Sequence, residues 1–343
     1  MRDTIVLRAG RVSVRSSRRA LIVYGIMLLA LPACVLIALS MGSRVIPIPE
    51  VIGALAPGSE GPNRLVVVEW RAPRAVAAAL FGACLGLSGA LFQSLTRNPL
   101  GSPDIIGLNS GAYTGVVCVI MLGGSGYPTL AGGAVLGGLG TALAVYLLAL
   151  RQGMRGFRLI IVGIAVGAML SSVNTWFSVK ADLDVALRAA IWGAGTLNGV
   201  GWPPVGVSAA MAVLLFLALP ALGRRMRQLE LGEDTAAMSG VPVEATKALM
   251  VVVGVGFTAV VTAVTGPIAF VALVAPQIAR RLTRHGGIAD LTGSALAGAL
   301  LLSMADLIAR YAIPGIALPV GAVTVCLGGG YLVWLLFRES GRS

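Results

Sequence analysis

Residues 224–247 read RRMRQLELGEDTAAMSGVPVEATK and lie between two long apolar runs. Four of the chain's 14 acidic residues fall here: Glu230, Glu233, Asp234 and Glu244. Glu233 and Asp234 follow Leu231 and Gly232 and open a run of helix formers, Thr235, Ala236, Ala237 and Met238, that stops at Gly240 and Pro242. Acids suit the positive end of a helix and glycine suits its C-terminus, so the pattern predicts a helix of about seven residues. A helix this short does not hold itself together in water, where about 12–15 residues are needed. Two readings stay open: a solvated loop between membrane spans, or a contact surface for a soluble partner.

Working outward, the composition is that of a membrane protein. Hydrophobic residues make up 57% and charged ones 12% of the chain, against about 25% charged in soluble domains. The mean hydropathy is +0.90. The reading is an all-α membrane protein whose 343 residues form a single transmembrane domain. The net charge of +12 does not imply nucleic acid, because the 26 basic residues are spread through short loops without interleaved aromatics. Cys34, Cys84, Cys118 and Cys326 lie inside apolar runs with no metal-ligand spacing, which predicts buried thiols rather than disulfides or metal sites.

Hydropathy gives ten spans: Ala20–Met41, Ala72–Ser94, Asp104–Leu122, Tyr127–Leu150, Phe157–Val179, Trp202–Leu222, Ala248–Val264, Ile268–Leu282, Leu291–Tyr311 and Leu318–Phe337. The basic stretch 1–19 with the first span is read as a retained anchor, since the apolar run is too long for a signal sequence and no small-residue cleavage site follows. Val185–Leu197 is weakly apolar and too short to cross. With both ends inside, 19 of the 26 basic residues fall on the cytoplasmic side, Arg97, Lys247 and Arg280 among them. Arg44, Arg64, Arg71, Arg74, Lys180, Arg188 and Arg310 remain outside. The positive-inside bias supports the even count and a cytoplasmic 224–247 loop.

Glycines four apart, at Gly82 and Gly86, Gly107 and Gly111, and Gly163 and Gly167, predict close helix packing. Ionisable groups deep in the spans are nearly absent. Asp306 is the clearest exception, and Arg310 four residues later predicts a local ion pair. No GxxxxGK[ST] phosphate loop surrounds Lys180 or Lys247, so nothing here cradles ATP. An ion-coupled transporter would need carboxylates near a midplane site, and Asp306 stands alone. A membrane enzyme would need a nucleophile or metal cluster, and the one histidine, His285, sits in a predicted cytoplasmic loop.

Several segments resemble one family in order. Glu69-Trp-Arg-Ala-Pro-Arg74 leads to GACLGLSGALFQSLTRNPLGSPDIIGLNSGA ending at Ala112. LGEDTAAMSGV, GPIAFVALVAPQIARRL and ADLIARYAIPGIALPVG follow. Together they resemble the FecCD family, permeases of iron-siderophore and vitamin B12 importers, from about Glu50 to Arg338. RNPLGSPDIIG, FRLIIVGI and AGTLNG are most similar to its ferric enterobactin branch.

The resemblance implies a type II ABC importer permease in the bacterial cytoplasmic membrane with both termini cytoplasmic. It would pair with a second, related permease, two cytoplasmic ATPases that hold ATP and magnesium, and an external binding protein delivering a ferric siderophore. No cofactor would bind the permease itself. It also implies that Leu231, Gly232, Glu233, Asp234, Thr235, Ala236, Met238 and Gly240 form the coupling element against the ATPase. Asn98 and Leu100 would sit at the cytoplasmic gate, and Arg71, Arg74 and Arg310 would receive acidic residues of the binding protein. Span 5 with its short extension, and span 10, would line a pathway with small, apolar walls. Gln277 stands where the family pattern has histidine, which removes a titratable group but keeps a hydrogen-bonding one.

Overall fold

The computed structural model describes residues 4–9, 12–42, 44–150, 156–284, 290–313 and 315–340. The predicted loop carrying His285 lies outside them, as do Arg2, Arg11, Arg151, Arg155 and Arg342 of the predicted cytoplasmic charges. An antiparallel hairpin, β1 (Thr4–Ala9) and β2 (Val12–Ser17), precedes the first span, a feature the arginine-rich composition of this stretch had not suggested. Everything else regular among the described residues is helical.

The first helix, α1 (Arg18–Ser40), is followed by α2 (Ile48–Leu55) and α3 (Pro62–Arg64). From α3 the chain runs without a stop through a π-helical stretch, Leu65–Arg71, into α4 (Ala72–Thr96). The predicted second span therefore begins at Pro62 rather than Ala72. Pro73 marks no boundary, because the π stretch moves the missing bond elsewhere. In that stretch each amide reaches back five residues, as Ala72 does to Val67 O, so Pro73 leaves Val68 O without a donor. The indole Nε1 of Trp202 supplies one at 2.9 Å.

A short 3-10 turn, Pro103–Ile106, leads to α5 (Leu108–Met121), α6 (Tyr127–Leu150), α7 (Gly156–Lys180) and the short α8 (Leu183–Gly193). The predicted sixth span is broken. α9 (Trp202–Phe216) and α10 (Leu219–Glu230) meet at 47°, because Pro220 has no amide to offer Phe216 O. α10 is amphipathic, with Leu222, Met226 and Leu229 buried and Arg224, Arg225 and Arg227 at intervening positions. Then come α11 (Glu233–Met238), α12 (Val243–Thr265), α13 (Val271–Thr283), α14 (Leu291–Tyr311) and α15 (Val320–Ser340).

Among the described residues six helices are each long and apolar enough to cross a membrane, and the α9–α10 pair makes up to seven. With the shorter α5, α13 and α15, this arrangement is compatible with ten crossings. The main core joins α4, α9, α10, α12 and α14 through Phe81, Leu85, Met226, Phe257 and Leu302. A second cluster, with Phe92, Leu108, Val145, Leu159 and Val255, fastens α5, α6 and α7 to it. In its most apolar window α4 is 78% buried and α1 only 11%, so α4 is the axis and α1 lies on the rim. The thiols follow this layout. Cys84 is buried and Cys34 half-buried, but Cys118 and Cys326 are exposed on outer helix faces, against the expectation of four buried thiols.

Glycine sets the axis. A Cβ on Gly86 would lie 2.0 Å from Ser294 O, and one on Gly82 would lie 2.3 Å from Gly298 O. One on Gly89 would lie 1.7 Å from Ala272 O, the carbonyl that Pro276 leaves without its amide partner. All three obstacles are backbone, which cannot swing aside. Gly86→Ala should therefore lower the melting temperature of the purified protein, overpacking of this kind costing roughly 1–3 kcal/mol. Gly25→Ala, on the exposed face of α1 with nothing within 4 Å, should leave it unchanged or raise it slightly through helix propensity. Equal melting of the two variants would remove the tight α4–α14 contact as the organising one.

Candidate functional site

Hydrogen bonds sort the charged residues onto two ends of the bundle. At one end Arg19 Nε donates to Leu282 O, Arg97 Nη2 to Leu229 O and Arg280 Nη2 to Gln93 Oε1. At the other lie Arg44, Arg71, Arg74 and Arg310. The residues predicted to be cytoplasmic and external thus separate in space.

α11 stands at the first end. Gly232 enters it at φ 122° and Gly240 leaves at φ 81°, conformations that ask for glycine. Ala236 is buried, whereas Leu231 and Met238 are 73% and 83% exposed. Asp234 and Thr235 also face outward. Glu233 does not. Its Oε2 accepts from Lys247 Nζ at 2.6 Å, and its Oε1 stands 3.7 Å from Arg97 Nη2. The sequence pattern gave Glu233 and Asp234 one role, and the structure gives them two.

Beside α11, α4 ends at Arg97 and the loop of Asn98, Pro99 and Leu100 begins. Asn98 Oδ1 accepts from Leu100 N at 2.9 Å, and Leu100 itself is 47% exposed. Gln277, buried on α13, donates from Nε2 to Pro99 O at 2.9 Å. Gln277, where the resemblance implies histidine, thus holds this loop from α13. Gln93 completes the layer, donating to Leu273 O while accepting from Arg280.

Between the two ends a groove of about 610 Å³ opens on α5, α7 and α8. Asn109, Ser110, Tyr113, Ser171, Thr175 and Ser178 line it. Asn174 bolts its floor, accepting from Thr114 Oγ1 at 2.8 Å and donating to Ser110 O at 3.1 Å. On these helices hydroxyls and amides line the groove. The signal was present as Ser171, Asn174, Thr175 and Ser178 at helical spacing, but scattered single polar residues barely change a span's hydropathy. Exposed polar side chains at membrane depth face water or protein rather than lipid.

At the far end Arg71 and Arg74 part company. Arg71 is 8% exposed and donates to Leu39 O, Ser40 O and Arg44 O, closing the last turn of α1 and the loop after it. Arg74 Nη2 pairs with Asp306 Oδ1 at 2.7 Å and Nη1 donates to Asn198. Arg310 pairs with the other oxygen of Asp306, so the predicted local pair is a triad. A cavity of about 340 Å³ is lined by Arg44, Trp70, Arg71, Arg310 and Tyr311. The Nε of Arg310 is buried with no hydrogen-bond acceptor.

Residues 13–338 match the model of the FecCD transport family. The chain is 49% identical to the ferric enterobactin transport system permease protein FepG of Escherichia coli (strain K12), over 95% of this chain and 99% of that one. It is 33% identical to the probable siderophore transport system permease protein YfhA of Bacillus subtilis (strain 168), over 94% and 96%. Among solved structures, an inward-facing metal-chelate type ABC transporter superposes with a TM-score of 0.82 at 25% identity, over 92% of this chain and 99% of that one. With a family match running almost from end to end of a multi-pass helical bundle, the chain belongs to the FecCD transport family.

Proposed function

We propose that this chain is the permease subunit of an ABC importer that carries a ferric siderophore of the catecholate type across the bacterial cytoplasmic membrane. The observation that carries the reading is the 49% identity to an enterobactin permease along nearly the whole chain. The permease supplies a path and no hydrolytic chemistry. ATP and magnesium belong to two separate ATPase subunits, and a second, related permease completes the pathway as a heterodimer. The first end of the bundle, with both termini, faces the cytoplasm, and the far end faces the external binding protein. The polar groove on α5, α7 and α8 is the half of the pathway built by this subunit, and Asn98 and Leu100 sit at its inner mouth.

Reconstituted with its ATPase, partner permease and binding protein, the chain should take up a ferric tricatecholate in an ATP-dependent way. Preference for a ferric hydroxamate or cobalamin would redirect the substrate assignment. Uptake driven by an ion gradient without ATP would overturn the importer reading itself.

The inner face supports a docking role because α11 is too short to hold itself and presents Leu231 and Met238 outward. Buried apolar anchors dominate such interfaces and are worth about 2 kcal/mol or more each. Met238→Glu should therefore weaken ATPase binding by at least about 30-fold, measured by titrating labelled ATPase onto the permease in nanodiscs. Undiminished affinity would remove α11 from the interface.

At the external face, a carboxylate of the binding protein would enter the cavity between Arg44, Arg71 and Arg310. Reversing Arg71 is a poor test of docking, since its guanidinium holds three backbone carbonyls. Arg44 is exposed and carries the charge without that duty. Arg44→Glu should slow association of the loaded binding protein about ten-fold at low ionic strength, with the difference shrinking at high salt. Equal association rates at low salt would show that this rim steers nothing.

A further inference from the structure

Arg97 ends α4 in the left-handed region at φ 50°. Glycine adopts that conformation without steric cost, and residues with a Cβ do not. An arginine kept at a helix terminus where glycine is the common choice points to a use for its side chain. Its Nη2 reaches Leu229 O in the last turn of α10 at 3.1 Å and stands 3.7 Å from Glu233 on α11. The residues that follow it are Asn98, Pro99 and Leu100.

Glu233 continues the connection. Its other oxygen accepts from Lys247 Nζ at 2.6 Å, and the Lys247 side chain is only 6% exposed on the first turns of α12. Glu244 adds a longer contact to the same ammonium at 3.4 Å. The two halves of the connection differ in stiffness. An ammonium buried to this degree cannot be left without its carboxylate at small cost, so α11 and α12 move together through Glu233. The Arg97–Glu233 pair is about half exposed on both sides, which makes it weak and able to lengthen. The loop after Arg97 is held on its other flank by Gln277 at Pro99 O. It is slung between a yielding tie to α11 and a fixed tie to α13.

We infer that Arg97, Glu233 and Lys247 form a strut that carries displacement of α11 into the Asn98–Leu100 loop. Glu233 is then a positioning residue of coupling, turned toward its own subunit, while Asp234, Leu231 and Met238 are left to meet the partner. The inference rests on the reading of α11 as the ATPase-docking element.

The test uses the assembled importer in proteoliposomes and measures siderophore transported per ATP hydrolysed, alongside ATPase affinity. Arg97→Gly eases the backbone and removes the side chain, so any effect belongs to the bonds that side chain makes to Leu229 O and Glu233. Arg97→Gly and Glu233→Gln should each lower the transport-to-hydrolysis ratio about two- to five-fold, the range expected for losing ion pairs of this kind, with ATPase affinity unchanged. Arg97→Lys should recover much of the ratio. A wild-type ratio in Arg97→Gly would overturn the strut, as would a loss of ATPase affinity in Glu233→Gln, which would make Glu233 a contact residue. Arg97→Gly keeps the test decisive if Glu233→Gln does not assemble. Failure of the underlying docking reading shows separately, as normal ATPase binding by Met238→Glu.

Discussion

The structure depends on one constraint: in hydrocarbon, a backbone carbonyl released by a break or a helix end must find a donor within the protein. The bundle is broken often, and several of its breaks and helix ends are answered from another element. Trp202 serves Val68 O behind Pro73, and Gln277 serves Pro99 O in the loop after α4. Arg71 serves the last turn of α1, Arg19 the last turn of α13 and Arg97 the last turn of α10. Where no side chain is available the backbone comes close instead, as Gly89 does to Ala272 O beneath Pro276. These bonds link elements far apart in sequence, so irregular segments become the joints of the bundle.

The joints are also where the candidate site residues gather. Gln277, Arg97 and Arg71 each complete a helix end or loop while standing beside the Asn98–Leu100 loop, α11 or the cavity at the far end. A permease must change shape without exposing polar backbone to lipid. Building its moving parts on side-chain donors lets a loop shift while its carbonyls stay paired.

Much of the outline was legible in the sequence. Hydropathy located α1, α6, α7 and α14 almost residue for residue, since each is a long apolar run closed by charge or glycine, and arginine placement sorted the two ends. The start of the second span was hidden, because Leu65–Trp70 reads as a loop preceding a proline, and only the π stretch with Trp202 from a distant helix makes it continuous. The bend at Pro220 was masked by apolar residues on both sides. At the candidate site, α11 could be read from Gly232, its acids and Gly240. The division between Glu233 and Asp234 could not, because adjacent acids look alike until Lys247 is folded beneath one of them. The polar groove was missed for a related reason: a window average conceals which face of a helix carries its few hydroxyls.

The peripheral position of α1 bears on how the protein is made. α1 touches the main core little, and although Arg71 closes its last turn early, the polar ties of its N-terminal part are to late-arriving sequence: the Tyr24 hydroxyl donates at 2.7 Å to Asp290, 266 residues further on. At a synthesis rate of about 5–20 residues per second, that partner emerges roughly 13 to 53 seconds after Tyr24. For that interval α1 must reside in the bilayer on its own apolarity, which its window hydropathy of 2.6, the highest among the candidate spans, allows. Its phenol and Arg19 wait near one surface. Biogenesis of this permease therefore leaves the N-terminal part of α1 among the last to be fastened.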